Sequence, residues 1–106
     1  RQLKRILKRT GVGIARTGGY TGHGSGEVMI GFTTANRIPS GREEELLQIS
    51  AIPEHVINRA FLAAAEAEQE AILNSMTAAK QTRGREGELY YSLAEYLNDR
   101  EVETSK

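Results

Sequence analysis

The placement of glycine constrains this chain more than any other feature. Eight of its eleven glycines fall between Gly11 and Gly31, and five of those are crowded between Gly18 and Gly26. So many residues without a Cβ cannot sustain a helix or a strand, so this stretch reads as a loop. In such a loop several positions take φ > 0 or let another group approach the backbone closely. Directly after it, Glu27-Val28-Met29-Ile30-Gly31-Phe32-Thr33-Thr34-Ala35 is rich in β-branched and aromatic residues, and Asn36, Pro39, Ser40 and Gly41 end it. The pattern predicts a strand over 27–35. Val28, Ile30 and Phe32 would share one face and Met29, Gly31 and Thr33 the other. Neither face is strongly polar, which predicts an interior strand covered on both sides.

Before the loop, Leu3, Ile6, Leu7, Thr10 and Ile14 recur at helical spacing, with Arg1, Lys4, Arg5, Lys8, Arg9 and Arg16 between them. This predicts one amphipathic helix, although Gly11 and Gly13 each cost about 1 kcal/mol against Ala in its second half. After the strand, residues 37–51 read as a surface loop that includes Arg37, Arg42 and the run Glu43-Glu44-Glu45. Contiguous carboxylates cannot converge on one ion, so this run reads as a solvated surface. Residues 53–80 predict the longest helix, with Pro53 in its first turn. Its stripe is Ile57, Ala60, Phe61, Ala64, Ala71, Ile72, Ser75, Met76 and Ala79, and so many alanines let a neighbouring layer come close. Thr82-Arg83-Gly84-Arg85-Glu86-Gly87 breaks the pattern. A short Leu89-Tyr90-Tyr91 piece, a small helix near residues 93–97 and a frayed, charged tail over 99–106 are expected to follow. No internal repeat is visible.

Composition narrows the classes of function. Lys plus Arg and Asp plus Glu are 14 each, so the net charge is zero and nothing draws the whole chain toward nucleic acid or an anionic membrane. Cysteine is absent, which removes disulfides, thiolate nucleophiles and cysteine-bound zinc, and weakly favours a reducing cytoplasm over a periplasmic location. No apolar run approaches the roughly 20 residues a membrane-spanning helix needs, so a soluble protein is expected. A 106-residue chain with 6% aromatic residues can form only a modest core alone. It also opens on Arg1, inside a helical pattern without a cap. It therefore reads as one partial domain, 1–106, cut from something longer and needing a partner surface.

The candidate chemistry sits where loop meets strand. Ser25 and Glu27 stand two apart, so both leave the same face if strand geometry begins by Ser25, and Gly24 and Gly26 let a substrate or another backbone approach them. By itself a glycine-rich loop with one Ser and one Glu is a weak signal, and a tight turn needing φ > 0 at several positions accounts for it more readily. The loop lacks the Lys and Ser or Thr of a phosphate-cradling loop and runs into a strand instead of a helix, which disfavours nucleotide binding. His23 and His55 are the only histidines and lack a paired-ligand spacing, so no metal is expected. No Gly-x-Ser-x-Gly elbow is present, so a Ser-His-Asp triad fits poorly.

Several stretches together resemble a known family. Gly13-Ile14-Ala15-Arg16-Thr17-Gly18-Gly19, then Gly22-His23-Gly24-Ser25-Gly26-Glu27, then Phe32-Thr33-Thr34-Ala35-Asn36-Arg37 closely resemble the second half of the DmpA and β-peptidyl aminopeptidase family. Glu70-Ala71-Ile72-Leu73-Asn74-Ser75 and Thr82-Arg83-Gly84-Arg85-Glu86-Gly87 look like that family's long helix and its terminating turn. The resemblance covers roughly residues 2–97 and weakens over 38–52. It implies a precursor that cleaves itself before a serine, whose hydroxyl is then the nucleophile and whose α-amino group is the proton acceptor. A terminal amine with a pKa near 8 can activate a serine without histidine. That nucleophile would lie upstream of Arg1, with the oxyanion hole and the residue that holds a substrate's amino terminus.

By the same resemblance the Ser-x-Glu pair falls on Ser25 and Glu27. Ser25 would hydrogen-bond the nucleophile's amine or hydroxyl, and Glu27, as an anion, would orient Ser25 and stabilise the ammonium that forms during acyl transfer. The implied fold is α/β (α+β), part of a four-layer αββα sandwich similar to N-terminal nucleophile hydrolases. The implied partners are the upstream part of the same precursor, a small peptide or amide substrate and further copies in a homo-oligomer such as a tetramer; no cofactor is implied. Two rival readings stand beside this one. The first is acyl transfer of the ornithine acetyltransferase type, which shares the architecture but normally uses threonine. The second is a noncatalytic binding or structural domain that keeps the glycine loop as a turn.

Overall fold

The computed structural model describes residues 1–41 and 46–104, with side chains as far as Asn98. The run Glu43-Glu44-Glu45 lies outside the described residues. The chain forms two units, residues 1–69 and 70–106, and its longest helix runs from one into the other.

In the first unit, the basic segment is two helices where one was expected: α1 (Gln2–Leu7) and α2 (Thr10–Arg16). The join is a tightening of the helix. The Arg9 N–H reaches the Ile6 carbonyl at 2.9 Å and the Val12 N–H the Arg9 carbonyl at 3.0 Å, both spanning three residues instead of four. The Thr10 hydroxyl donates to the Leu7 carbonyl at 2.7 Å and competes there with the regular backbone bond. Thr10 and the following Gly11 are both poor helix formers, so the interruption is local in origin.

The end of α2 explains the first glycines of the loop. Gly18 takes φ +98°, its N–H reaches the Ala15 carbonyl at 3.1 Å, and the Gly19 N–H reaches the Ile14 carbonyl at 3.1 Å. This pair of bonds is a Schellman motif, which needs a residue of positive φ just past the helix. The chain is thereby turned out of the helix and into the loop.

Helix α3 (Ile57–Ala78) begins four residues later than expected. Pro53 instead opens a tight turn, in which the Val56 N–H meets the Pro53 carbonyl at 3.0 Å and the Arg59 N–H meets the Val56 carbonyl at 3.1 Å. Ile57 and Ala65 are the buried apolar residues of α3, and Gly13 of α2 is buried with them. Ala60, Phe61, Ala64 and Ile72 of the expected stripe are half-buried, whereas Ala71 and Ser75 are exposed. The contact face therefore passes through Ala65, Glu68 and Gln69. A Cβ built on Gly13 would lie 2.5 Å from the Ala65 carbonyl oxygen and 2.9 Å from the Gln69 nitrogen. Gly13 is thus the notch through which α2 meets the backbone of α3.

Residues 26–36 form no ladder, and the expected interior strand over 27–35 is corrected accordingly. The described residues contain only one sheet, a two-stranded one elsewhere in the chain. Val28, Ile30 and Phe32 are 90%, 88% and 84% exposed, so the even-numbered face is open. On the other face Met29 is half-buried, whereas Glu27, Gly31 and Thr33 are exposed, with the end of the Leu7 side chain beside Gly31. The β-forming character of the segment was legible, but a strand also needs a neighbour to take its N–H and C=O groups, and among the described residues none does.

The second unit begins with the last turns of α3 and continues through a small hairpin, β1 (Thr82–Arg83) with β2 (Leu89–Tyr90), paired antiparallel with Thr82 opposite Tyr90. The break expected over 82–87 is its turn. The Gly84 N–H meets the Glu88 carbonyl at 2.8 Å, Gly87 takes φ +92°, and the Arg83 guanidinium donates to the Gly87 carbonyl at 2.8 Å. Helix α4 (Leu93–Thr104) extends well past the expected residue 97, through most of the stretch expected to be a frayed tail. Its start is a capping box that the sequence reading missed, although Ser92-Leu93-Ala94-Glu95 spells it. The Glu95 N–H donates to the Ser92 hydroxyl at 3.3 Å, and the Glu95 carboxylate accepts from the Ser92 N–H at 2.8 Å and from its hydroxyl at 2.9 Å. No helix of the described residues is long and apolar enough to cross a membrane.

Candidate functional site

The site is built from the loop that leaves α2. Residues 22–25 form a turn in which the Ser25 N–H meets the Gly22 carbonyl at 3.1 Å, with Gly24 at φ +87° in the third position. A positive φ there is what a type II turn requires, and glycine supplies it without steric cost. Just before the turn, Thr21 takes φ +54°, the single non-glycine residue of positive φ among the described residues. A β-branched side chain in that conformation costs roughly 1–2 kcal/mol, so the turn is entered through a strained residue.

The turn fixes what Ser25 can do. Its hydroxyl donates to the Gly22 carbonyl at 2.9 Å, so the proton is committed inward and the oxygen's lone pairs are left for a donor from outside. Glu27, two residues on, is exposed and has no hydrogen bond or ion pair among the described residues. An ionised carboxylate only accepts. Ser25 and Glu27 therefore present acceptors, one residue between them and both open to solvent, and among the described residues no hydrogen bond joins them to each other. Each can take a hydrogen bond from a donor, and a carboxylate favours a cationic one.

The histidines stand apart from this. His23 is exposed within the turn and His55 is exposed in the turn ahead of α3. Among the described residues no cluster of three or more His, Asp or Glu side chains is placed to hold a metal ion.

At the far end of the 26–36 segment lies a hollow of about 750 Å³, lined among others by Gln2, Ile6, Ala35, Asn36, Ser50 and Ile52. Two side-chain amides organise its wall. Asn36 donates to the Ser50 carbonyl at 2.9 Å and accepts from the Ser50 N–H at 2.8 Å. Gln2 does the same for Ile52, donating at 2.6 Å and accepting at 2.9 Å. Each amide thus replaces the ladder bonds of a neighbouring strand. Below them, one Arg5 guanidinium nitrogen donates to both Glu54 carboxylate oxygens, at 2.9 and 2.8 Å. Hydrogen bonding from Arg5, and secondarily from Gln2, holds the Glu54 carboxyl below its ordinary range. The guanidinium groups of Arg5 and Arg9 also lie over the Phe61 ring, 5.4 and 4.1 Å from its centroid. Sequence reading singled out Ser25 and Glu27 as candidates and did not see these clamps, because a Gln and an Asn some fifty and fourteen residues from their partners leave no periodic trace.

Comparison with known proteins agrees with the motif-based resemblance. The chain is 34% identical over 86 residues to β-peptidyl aminopeptidase BapA of Sphingosinicella microcystinivorans, covering 81% of this chain and 22% of that protein. It is 29% identical over 93 residues to the protein of the same name from Sphingosinicella xenopeptidilytica, covering 87% of this chain and 23% of the relative. The crystal structure of the PH0078 protein from Pyrococcus horikoshii OT3 superimposes with a TM-score of 0.83 at 46% identity, over 94% of this chain and 28% of that one. The chain therefore spans about a quarter of the length of these relatives. Residues 1–90 match the family description of peptidase family S58, and with this small mixed helix-and-strand arrangement the chain belongs to peptidase family S58.

Proposed function

We propose that this chain is the C-terminal part of an aminopeptidase of the self-processing, N-terminal-serine type, releasing N-terminal residues from small peptides, amides or esters. One observation carries the proposal: Ser25, with its proton given to the Gly22 carbonyl, and Glu27, without a partner among the described residues, are exposed acceptors beside glycines. A terminal serine delivered to that set from the upstream part of the precursor would find partners for its ammonium. Ser25 would hold the amine or hydroxyl of the nucleophile. Glu27 would offset the positive charge that appears when the amine takes the serine proton, on the way to an acyl-enzyme and again to its hydrolysis.

The same proposal gives the 26–36 segment its missing cover. Its free backbone groups and the open Val28, Ile30 and Phe32 face match an interior strand of a four-layer αββα sandwich completed by the upstream part, in an enzyme that assembles as a homo-oligomer. The test is expression of the complete precursor. Two chains should appear, the second beginning with serine, and Ser25→Ala should lower kcat on a p-nitroanilide substrate by about a hundredfold or more without loss of assembly. That is the size of effect expected when one hydrogen bond to developing charge is removed. A fully active Ser25→Ala enzyme would overturn the assignment.

A further inference from the structure

Tyr20 stands in the loop between the end of α2 and the turn that carries Ser25. A Cβ built on Gly22 would lie 3.0 Å from Cε2 of Tyr20 and 3.3 Å from its Cζ and Oη, so the phenol ring rests beside Gly22. Thr21, at φ +54°, folds the chain back between the two. Gly22 is also the anchor of Ser25, since its carbonyl accepts from both the Ser25 N–H and the Ser25 hydroxyl. Through that shared residue the ring lies within about 10 Å of the Ser25 hydroxyl, the most that these contacts and ordinary bond lengths allow. Tyr20 is nonetheless 88% exposed, so its contact with Gly22 leaves most of the ring uncovered. We propose that Tyr20 is a specificity-determining residue of this site, offering its ring to a large apolar or aromatic side chain on the residue released from the substrate. This rests on the catalytic reading of Ser25 and Glu27 given above.

Position and chemistry both favour a substrate contact. If Ser25 holds the nucleophile, the bond to be broken lies next to it, and one substrate residue spans only about 3.5 Å of backbone plus its side chain. A ring this close to Ser25, on the same loop, therefore borders the released residue. Between Gly18 and Gly26 the other residues are five glycines, Thr21, His23 and Ser25, so Tyr20 is the one large apolar surface the loop can offer. An aromatic ring supplies such a surface at low entropic cost, because only two side-chain torsions need fixing. The backbone agrees, since a β-branched residue of positive φ costs energy, and strain of this kind concentrates at ligand clamps and active sites. The competing role is packing against the upstream part of the chain. It predicts a different result, because a packing contact affects every substrate alike and a specificity contact does not.

The experiment uses the complete, processed enzyme and a matched pair of p-nitroanilides, in whichever α- or β-amino acid series it accepts. One carries benzyl on the released residue and the other methyl. Tyr20→Ala should lower kcat/KM about tenfold for the benzyl substrate and less than about twofold for the methyl one, the discrimination that a single apolar contact provides. Tyr20→Phe keeps the ring and should stay within about twofold of wild type on both. The Tm of both variants should be unchanged. An unchanged benzyl-to-methyl ratio in Tyr20→Ala, or an equal fall on both substrates with a lower Tm, would overturn the proposal, and the second result would make the ring a packing contact. Should Tyr20→Ala fail to mature, Tyr20→Gln decides, because it keeps a side chain of some length without the ring. A fall of about tenfold in the same ratio supports the contact, and an unchanged ratio overturns it. Ser25→Ala measured alongside separates the two levels. If Ser25→Ala is inactive and Tyr20→Ala keeps its ratio, only the specificity role is lost. If Ser25→Ala is fully active, the reading of the site falls and the role of Tyr20 with it.

Discussion

Asn36 holds Ser50 by both of its backbone polar groups, donating to the carbonyl at 2.9 Å and accepting from the N–H at 2.8 Å. The contact ties the end of the 26–36 segment to the chain that leads into α3. It is a strand-like pairing made by one side chain.

Asn36→Ala should therefore destabilise the complete protein by about 1–2 kcal/mol, the usual net value of two hydrogen bonds, when unfolding is followed in urea. Asn36→Asp should be no better at neutral pH. It keeps the acceptor for the Ser50 N–H but sets a carboxylate against the Ser50 carbonyl oxygen. An Asp variant as stable as wild type would mean that only the N–H bond matters.

At Gly13 the obstacle to a side chain is backbone, namely the Ala65 carbonyl and the Gln69 nitrogen, together with the Glu68 Cβ. Gly13→Ala improves helix propensity by about 1 kcal/mol, yet it must force α2 and α3 apart. Overpacking of this kind costs about 1–3 kcal/mol, so the net effect should be a lower Tm in spite of the better helix former. Gly11→Ala at the other glycine of α2 meets only the end of Met29 at an ordinary contact distance and should be neutral or stabilising. Equal Tm shifts for the two variants would contradict the close helix crossing.

The Arg5–Glu54 pair gives a prediction with a definite sign in pH. Because hydrogen bonds from Arg5 and Gln2 lower the Glu54 pKa in the folded protein, the stabilisation is present above the carboxyl's unfolded pKa. It is lost as pH falls through the lower, folded value. Glu54→Gln should thus be less stable than wild type at pH 7, with the difference shrinking toward zero below the carboxylate range. The pair is exposed, so 1 M salt should also narrow the gap. Parallel thermal melts at pH 7 and pH 3 check this, and a gap that is larger in acid would contradict it.

Glu27→Gln keeps size and hydrogen-bonding capacity but removes charge. In the proposed enzyme the nucleophile's ammonium then becomes easier to deprotonate, so the ascending limb of the pH–rate profile should move to lower pH. The ammonium that forms in the transition state also loses its counter-charge. That loss should dominate in a site shielded from water and lower the maximum rate by at least about tenfold, or 1.4 kcal/mol. An unchanged maximum with an unmoved limb would make Glu27 an ordinary residue of the segment.

Local chemistry made much of this legible in advance. The glycine run had to be a loop, and it is one because the Schellman end of α2 and the Gly24 turn each require a positive φ. A long helix over 53–80 was readable from its periodicity, though it starts only at Ile57, and Ser25 and Glu27 stood out because Gly24 and Gly26 flank the serine and Gly26 precedes the carboxylate. The Ser92–Glu95 cap was readable too, since capping acts over three residues, but it was missed.

What tertiary structure decided are the contacts that depend on which surfaces meet. Which alanine of α3 lies inward followed from the notch at Gly13. Whether 27–35 pairs as a strand depended on a neighbour, because β-forming residues supply edges and only another chain segment can satisfy them. The clamps of Gln2 on Ile52 and Asn36 on Ser50 join residues distant in sequence through single side chains. The sequence by itself determined the turns, the helices and the two candidate acceptors, since these rest on backbone preferences within a few residues. Only the folded chain decided how they meet, because such contacts depend on fitted surfaces.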